Sequence, residues 1–228
     1  MPLVVLPAQV PDIKAINDIY FTAFKDVPVI RFLFPGGVDR DTYDMATQHI
    51  WESDPSTYPI KCVDANTGEI VGMATWQLFW QHGEEHSWKK PPGVDWLEGK
   101  EKETSEKVLM PMFEMRDQLF GRRRHVYLPT TAVHPDHQKR GAGRLLMQWG
   151  IDIADKLGLP LYLETSEDVA PFYEKMGCER LTHVKVIQKA EVTGAPEDIE
   201  VPLLVKMPSE AKGLSFKSWA DKGYPESY

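Results

Sequence analysis

Apolar residues along this 228-residue chain keep two rhythms in turn. A short run or an alternation marks a strand, and recurrence every three or four positions marks a helix. Leu3–Leu6 reads as a first strand. Pro11 opens a helix in which Ile13, Ile16, Ile19, Tyr20 and Phe24 form one stripe, ending near Lys25. Val27 to Val38 is a loop anchored by Phe32, Leu33 and Phe34. Asp39 or Asp41 caps a second helix through about Glu52, with Met45, His49 and Ile50 turned inward. Tyr58–Val63, the turn Asn66-Thr67-Gly68 and Ile70–Trp80 read as a hairpin. Residues 81–107 then break the rhythm. They are polar, hold Trp88 and Trp96, end in the charge run Glu98–Lys107, and exceed an ordinary connection, which marks an insertion. Val108–Phe120 returns to helical spacing and stops at Gly121.

The second half is denser. An apolar run from Val126 to Val133 is a strand, stopped by Pro135, which has no N–H for a ladder. Gln138-Lys139-Arg140-Gly141-Ala142-Gly143 follows, and Leu145, Leu146, Trp149, Ile153 and Leu157 recur at helical spacing up to Gly158. Leu161–Thr165 is the next strand and Val169–Met176 a short helix. Leu181–Val192 and Val201–Met207 read as two last strands. The tail 208–228 is polar with scattered aromatics, placed to wrap the body or to stay mobile. No repeat or linker splits the chain, which predicts a single domain over residues 1–207 and a C-terminal tail.

Composition narrows the function classes. A chain of this length buries roughly 70% of its unfolded surface and needs no staples. The formal net charge of −8 speaks against a nucleic-acid partner; it favours a cationic amine only mildly, since most acidic proteins are simply soluble. The two cysteines, Cys62 and Cys178, fall in predicted strands and read as buried free thiols. Leu3–Leu6 lacks a basic flank and runs into Pro7, so neither a signal peptide nor a membrane span is expected, and the default location is cytoplasmic.

The chemistry gathers at residues 130–144. A helix start offers unpaired N–H groups and the positive end of the helix dipole, and glycines there let a bulky anion come close. The physical reading is a phosphate cradle. It lacks the Lys-Ser/Thr pair of the nucleotide P-loop.

Gln138-x-x-Gly141-x-Gly143 after a strand ending Val133-His134-Pro135 resembles the acyl-CoA signature of the GNAT acetyltransferase superfamily. Leu161-Tyr162-Leu163-Glu164-Thr165-Ser166, followed by Pro171-Phe172-Tyr173-Glu174-Lys175-Met176-Gly177-Cys178, resembles that family's second motif, in the same order and at a matching separation. The resemblance implies an α/β fold of α+β type: a mixed, mostly antiparallel central sheet with a splayed parallel strand pair, flanked by helices. It implies acetyl-CoA as co-substrate, no metal, and direct attack by a primary amine of a small molecule in a ternary complex. The expected coenzyme site comprises Thr131, Ala132 and Val133 for the pantetheine arm, then Gln138, Lys139, Arg140, Gly141, Ala142, Gly143 and Arg144 for the pyrophosphate, with Ser166 and Tyr173. The side chains of Arg140 and Arg144 either add charge there or are solvated.

Tyr173 matches the family's tyrosine near the coenzyme sulfur, and a phenol protonated at neutral pH can act as general acid. Glu164 interrupts an apolar strand and is the first candidate for the base, His134 the second, while a water-mediated route needs neither. The segment between the first two helices forms an acceptor wall in the resemblance, and Trp76, Trp80, Trp88 and Trp96 are expected to enclose an amine there. Arg122-Arg123-Arg124 reads as a patch near the phosphates or as a solvated turn. Two other functions fit the same residues: a non-catalytic acyl-CoA-binding module, and an N-acetyltransferase acting on a protein or peptide. The expected assembly is a monomer or a homodimer.

Overall fold

A computed structural model describes residues 2–81, 94, 96–225 and 227–228. Part of the expected insertion, residues 82–93 and 95 with Trp88 among them, lies outside the described residues. The strands are β1 (Leu3–Pro7), β2 (Thr57–Asp64), β3 (Ile70–Phe79), β4 (His125–Val133), β5 (Leu161–Glu164), β6 (Glu179–Arg180), β7 (Val186–Gln188), β8 (Ile199–Val201) and β9 (Leu203–Lys206). The helices are α1 (Ile13–Phe24), α2 (Ile30–Leu33), α3 (Arg40–Ser53), α4 (Gly99–Leu119), α5 (Ala142–Leu157), α6 (Ala170–Lys175), α7 (Ala190–Thr193) and α8 (Phe216–Asp221).

Among the described residues one seven-stranded sheet runs in the order β1-β2-β3-β4-β5-β9-β6, and β7 and β8 pair apart from it. Every pair in the large sheet is antiparallel except β4 with β5. That is the mixed sheet the sequence led one to expect.

The sheet has two differently filled faces. On one, α5 and α6 pack over Trp76, Leu128, Leu161 and Leu163 through Leu146, Met147, Ala170 and Tyr173. Gly150 explains the fit: a Cβ there would stand 2.2 Å from the indole of Trp76, so only glycine lets α5 lie this close. On the other face, Phe79, Tyr127 and Tyr162 meet Phe120 at the end of α4, and α1 covers Met73 and Ala132 with Ile16 and Ile19. The registers Met73↔Ala132 and Gln77↔Tyr127 put α1 and α4 on the same side of the sheet.

Several expectations change. The Asp39 cap is present, its carboxylate accepting from the N–H groups of Asp41 and Thr42. Met45 and Ile50, however, face solvent. The inner face of α3 is partly polar instead, because the Asn17 amide reaches Asp44 at 2.6 Å and Thr47 at 3.2 Å. The charge run 98–107 belongs to α4, which starts one turn after Trp96 and carries Pro111 inside. Leu181–Val192 is not one strand: it contains only β7 before α7 begins. Pro202, without an N–H, separates β8 from β9.

The tail is docked. Phe216 and Trp219 are buried, the Trp219 Nε1–H donates to Pro225 C=O at 2.9 Å, and the Tyr228 hydroxyl reaches Gly158 C=O at 3.1 Å. Arg123 caps the end of α4 and lies 3.7 Å from the Tyr224 ring centre, so this member of the basic triplet serves the tail. Cys62 and Cys178 are buried free thiols. Among the described residues no helix is long and apolar enough to cross a membrane, and no cluster of His, Cys, Asp or Glu has the makings of a metal site.

Candidate active site

The sheet opens at the parallel pair. β4 and β5 are in register only at Val126↔Leu161 and Tyr127↔Tyr162. Beyond that β4 stays with β3, while β5 stays with β9, and Thr165 N–H donates to Pro202 C=O at 3.1 Å. A bulge sharpens the divergence. Thr75 faces Thr130 and Gln77 faces Tyr127, so Leu128 and Pro129 both stand opposite Trp76. A slit results, with Pro129–Val133 on one lip and Glu164–Ser166 on the other.

At the far end of β4 the chain enters the glycine loop. His134 N–H still bonds Val71 C=O at 3.0 Å, a single turn of 3-10 helix follows, and the Gln138 amide reaches back to Val133 C=O at 3.4 Å. Lys139 takes φ 60° and Gly141 φ 95°, and α5 begins at Ala142. The N–H groups at this start lack acceptors within the helix. A Cβ at Gly141 would meet nothing within 4 Å, yet its positive φ resists any other residue. Gly143 differs: a Cβ there would make ordinary 3.8 Å contacts with Phe172 and Val133. The Arg140 guanidinium is turned back toward β2, where it pairs with Asp64 and donates to His137 Nδ1 at 2.7 Å. Lys139, Arg144 and Ser166 are exposed.

Tyr173 stands on the α5 side of the slit. It is 5% exposed, edge-on to Phe172 at 5.0 Å between ring centres, and burial pushes its phenol pKa up. Glu164 stands on the other side, with Tyr127 and Tyr162. Its Oε2 accepts from the Tyr127 hydroxyl at 2.8 Å, and its Oε1 lies 2.9 Å from Arg116 Nε of α4. Both partners of that ion pair are under 10% exposed, and the N–H is not aimed along the line between them, so the attraction is chiefly electrostatic. The Arg116 guanidinium also lies over Phe113 at 4.4 Å and over Tyr127 at 4.5 Å. Burial, then the Glu164 charge, push the Tyr127 phenol up. Arg116 was missed in the sequence, although an arginine set among Met112, Phe113, Met115 and Leu119 is a recognisable signal for a buried pair. His134 lies apart from this cluster, in the turn after β4, its Nδ1 accepting from Asp136 N–H at 3.3 Å.

Among the described residues, Trp76, Trp80 and Trp96 do not gather into the expected cage. Trp76 is fully buried against Gly150 and Trp149 on the opposite face, where alternation along β3 places it with Ala74 and Leu78. Trp80 is half-exposed at the end of β3. Trp96 does reach the α1–α3 segment: it stacks on Phe34 at 5.7 Å and its Nε1–H donates to Leu33 C=O at 2.8 Å. Phe21, Phe34 and Tyr43 pack edge to face beneath it.

A split sheet whose slit runs to a glycine-closed helix start offers a cleft ending in an anion-receiving helix start. The chain belongs to the GNAT acetyltransferase family, whose family model matches residues 15–178. It is 41% identical over 145 residues to "Probable acyltransferase SID5" of Ajellomyces capsulatus, covering 64% of this chain and 99% of that relative. The fold matches a mosquito arylalkylamine N-acetyltransferase like 5b with a TM-score of 0.63 at 12% identity, over 90% of this chain and 100% of that one. It also matches yncA of Salmonella typhimurium, solved "with its cofactor Acetyl-CoA", with a TM-score of 0.55 at 16% identity, over 90% of this chain and 93% of that one.

Proposed function

We propose that this enzyme moves an acetyl group from acetyl-CoA to the primary amine of a small molecule, by direct attack in a ternary complex. The observation that carries the reading is the placement of two polar side chains on opposite faces of one slit. Tyr173 lies on the α5 face and Glu164 on the α1–α4 face. A thioester threaded through the slit presents its sulfur to one and its carbonyl carbon to an amine arriving past the other.

In this reading the N–H groups of residues 140–144 hold the pyrophosphate. Backbone groups of Thr131, Ala132 and Val133 hold the pantetheine arm. The amine lone pair attacks the thioester carbon, the C–S bond breaks, and Tyr173 gives its proton to the departing thiolate. The proton shed by the amine goes toward Glu164, whose carboxylate is held in place by Arg116 and Tyr127. The aromatic group Phe21, Phe34, Tyr43 and Trp96 lies on the α1–α4 side and suits the carbon skeleton of an amine or its cationic end. The arylalkylamine N-acetyltransferase among the similar folds agrees with a small-amine acceptor.

The test is release of free CoA from acetyl-CoA, screened over small primary amines beside a panel of peptides. Release that depends on a small amine is expected. Tight acetyl-CoA binding without release by any acceptor would leave a binding module, and release with peptides alone would move the acceptor class.

A further inference from the structure

The Arg140 side chain stands in the middle of the coenzyme loop and does not face the helix start. Its Nη2 pairs with Asp64, the last residue of β2, whose side chain is only 4% exposed. Its Nη1 donates to His137 Nδ1 at 2.7 Å. An arginine can only donate, so Nδ1 is the bare nitrogen of that imidazole and Nε2 carries the hydrogen. Nε2 lies 3.2 Å from Glu69 Oε1, across the turn between β2 and β3. Asp64 is itself fixed, since its Oδ1 accepts from Asn66 N–H at 3.0 Å and its backbone N–H donates to Glu69 C=O at 2.9 Å.

The loop has reason to need this hold. Lys139 at φ 60° is a left-handed residue that is not glycine, a conformation that costs free energy unless its surroundings impose it. A Cβ at Gly141 would meet nothing within 4 Å.

We propose that Asp64, acting with His137 through Arg140, is a positioning residue for the coenzyme loop, holding its backbone N–H groups arranged for pyrophosphate before the coenzyme arrives. This rests on the acetyl-CoA reading given above. Neither residue touches the ligand. Their effect is pre-organisation: a loop already held in its binding shape loses less freedom on binding. The Arg140 hydrogen bond, and then the Asn66 N–H, hold the Asp64 carboxyl below the usual carboxylate range. The stabilisation is therefore complete at neutral pH and is lost only as pH falls through that lowered value.

The experiment is calorimetric titration of the parent protein and of Asp64→Asn with two probes, acetyl-CoA and S-acetyl-pantetheine, which lacks the pyrophosphate. Asp64→Asn should raise the acetyl-CoA Kd by about tenfold and leave the S-acetyl-pantetheine Kd unchanged. His137→Leu, at the more exposed end of the chain of contacts, should raise the acetyl-CoA Kd by about threefold, and His137→Gln, which keeps an acceptor for Arg140, should restore it. If Asp64→Asn fails to fold, the two His137 variants decide by the same criteria. Unchanged acetyl-CoA affinity in folded variants would overturn the proposal, as would equal losses for both probes, which signal general damage. A parent protein that does not bind acetyl-CoA would instead overturn the functional reading on which the proposal rests.

Discussion

The two sides of the β4–β5 slit are built from different material. In the proposed reading the coenzyme meets the α5 side mostly through main chain, a left-handed Gly141, a helix start and a strand lip, with Tyr173 as the reacting side chain and Arg140 turned away toward Asp64. The α1–α4 side carries side chains, the ion pair of Arg116 and Glu164 with Tyr127 and Tyr162 beside it, and in the proposed reading the aromatic group from Phe21 to Trp96 adds to it. A coenzyme that never changes is suited by a main-chain surface, which few substitutions can alter. An acceptor that differs between relatives is suited by side chains, each replaceable without disturbing the sheet. The comparison teaches where specificity is to be sought.

The largest effect should come from the side-chain face. Arg116→Met leaves the Glu164 carboxylate buried with no cation beside it, and breaking such a pair from one end costs about 3–5 kcal/mol. A melting curve should show the loss, and Arg116→Met with Glu164→Leu should recover much of it. Recovery absent in the double variant would mean that Arg116 stabilises through its packing on Phe113 and Tyr127 instead.

On the main-chain face, Gly141→Val should weaken acetyl-CoA binding by about a hundredfold or more, because a β-branched residue resists φ 95°. Gly143→Ala should bind nearly as the parent does, since its Cβ has ordinary contacts to make. Calorimetry on both variants checks the asymmetry; equal losses would mean that close approach at Gly143 matters as much as the turn at Gly141.

Tyr173→Phe should lower kcat by roughly ten- to a hundredfold with little change in the KM for acetyl-CoA, as expected for a proton given mainly in the transition state. Burial raises the phenol pKa, so the proton stays in place through alkaline pH, and Tyr173 should impose no fall in kcat between pH 6 and 9. A rate within twofold of the parent would return Tyr173 to a packing role.

The smallest effect belongs to Trp96. Trp96→Ala removes the stack on Phe34 and should raise the amine KM a few-fold, about 0.5–2 kcal/mol in cation–π or aromatic contact, while the acetyl-CoA Kd stays put. A change in the coenzyme Kd instead would place Trp96 on the wrong side of the comparison.

The main-chain face was legible in the sequence because its signals are local. Pro135, the two glycines and the stripe from Leu145 to Leu157 name the strand end, the loop and the helix without reference to distant residues. The side-chain face was not. Glu164 stood out as a charge in an apolar strand, but its partner Arg116 lies 48 positions earlier, and nothing local joins them. Trp76 was misread for the same reason: the room for its indole is made by Gly150 in a helix far along the chain. Met45 and Ile50 looked inward by spacing, yet the buried amide of Asn17 in α1 drew the polar Asp44 and Thr47 to that face instead. The helix over 99–107 was hidden by the polarity of that run, in which the buried residue is Ser105, held by a hydrogen bond to Phe32 C=O rather than by apolar packing.

The most direct test of direct acetyl transfer within one ternary complex is the pattern of initial rates. CoA release is measured with acetyl-CoA and an active small amine varied together, and plotted in double-reciprocal form. Lines that intersect are predicted, because both substrates must occupy the slit before the C–S bond breaks. Parallel lines, with CoA leaving before the amine binds, would mean an acetyl-enzyme intermediate and would contradict direct attack.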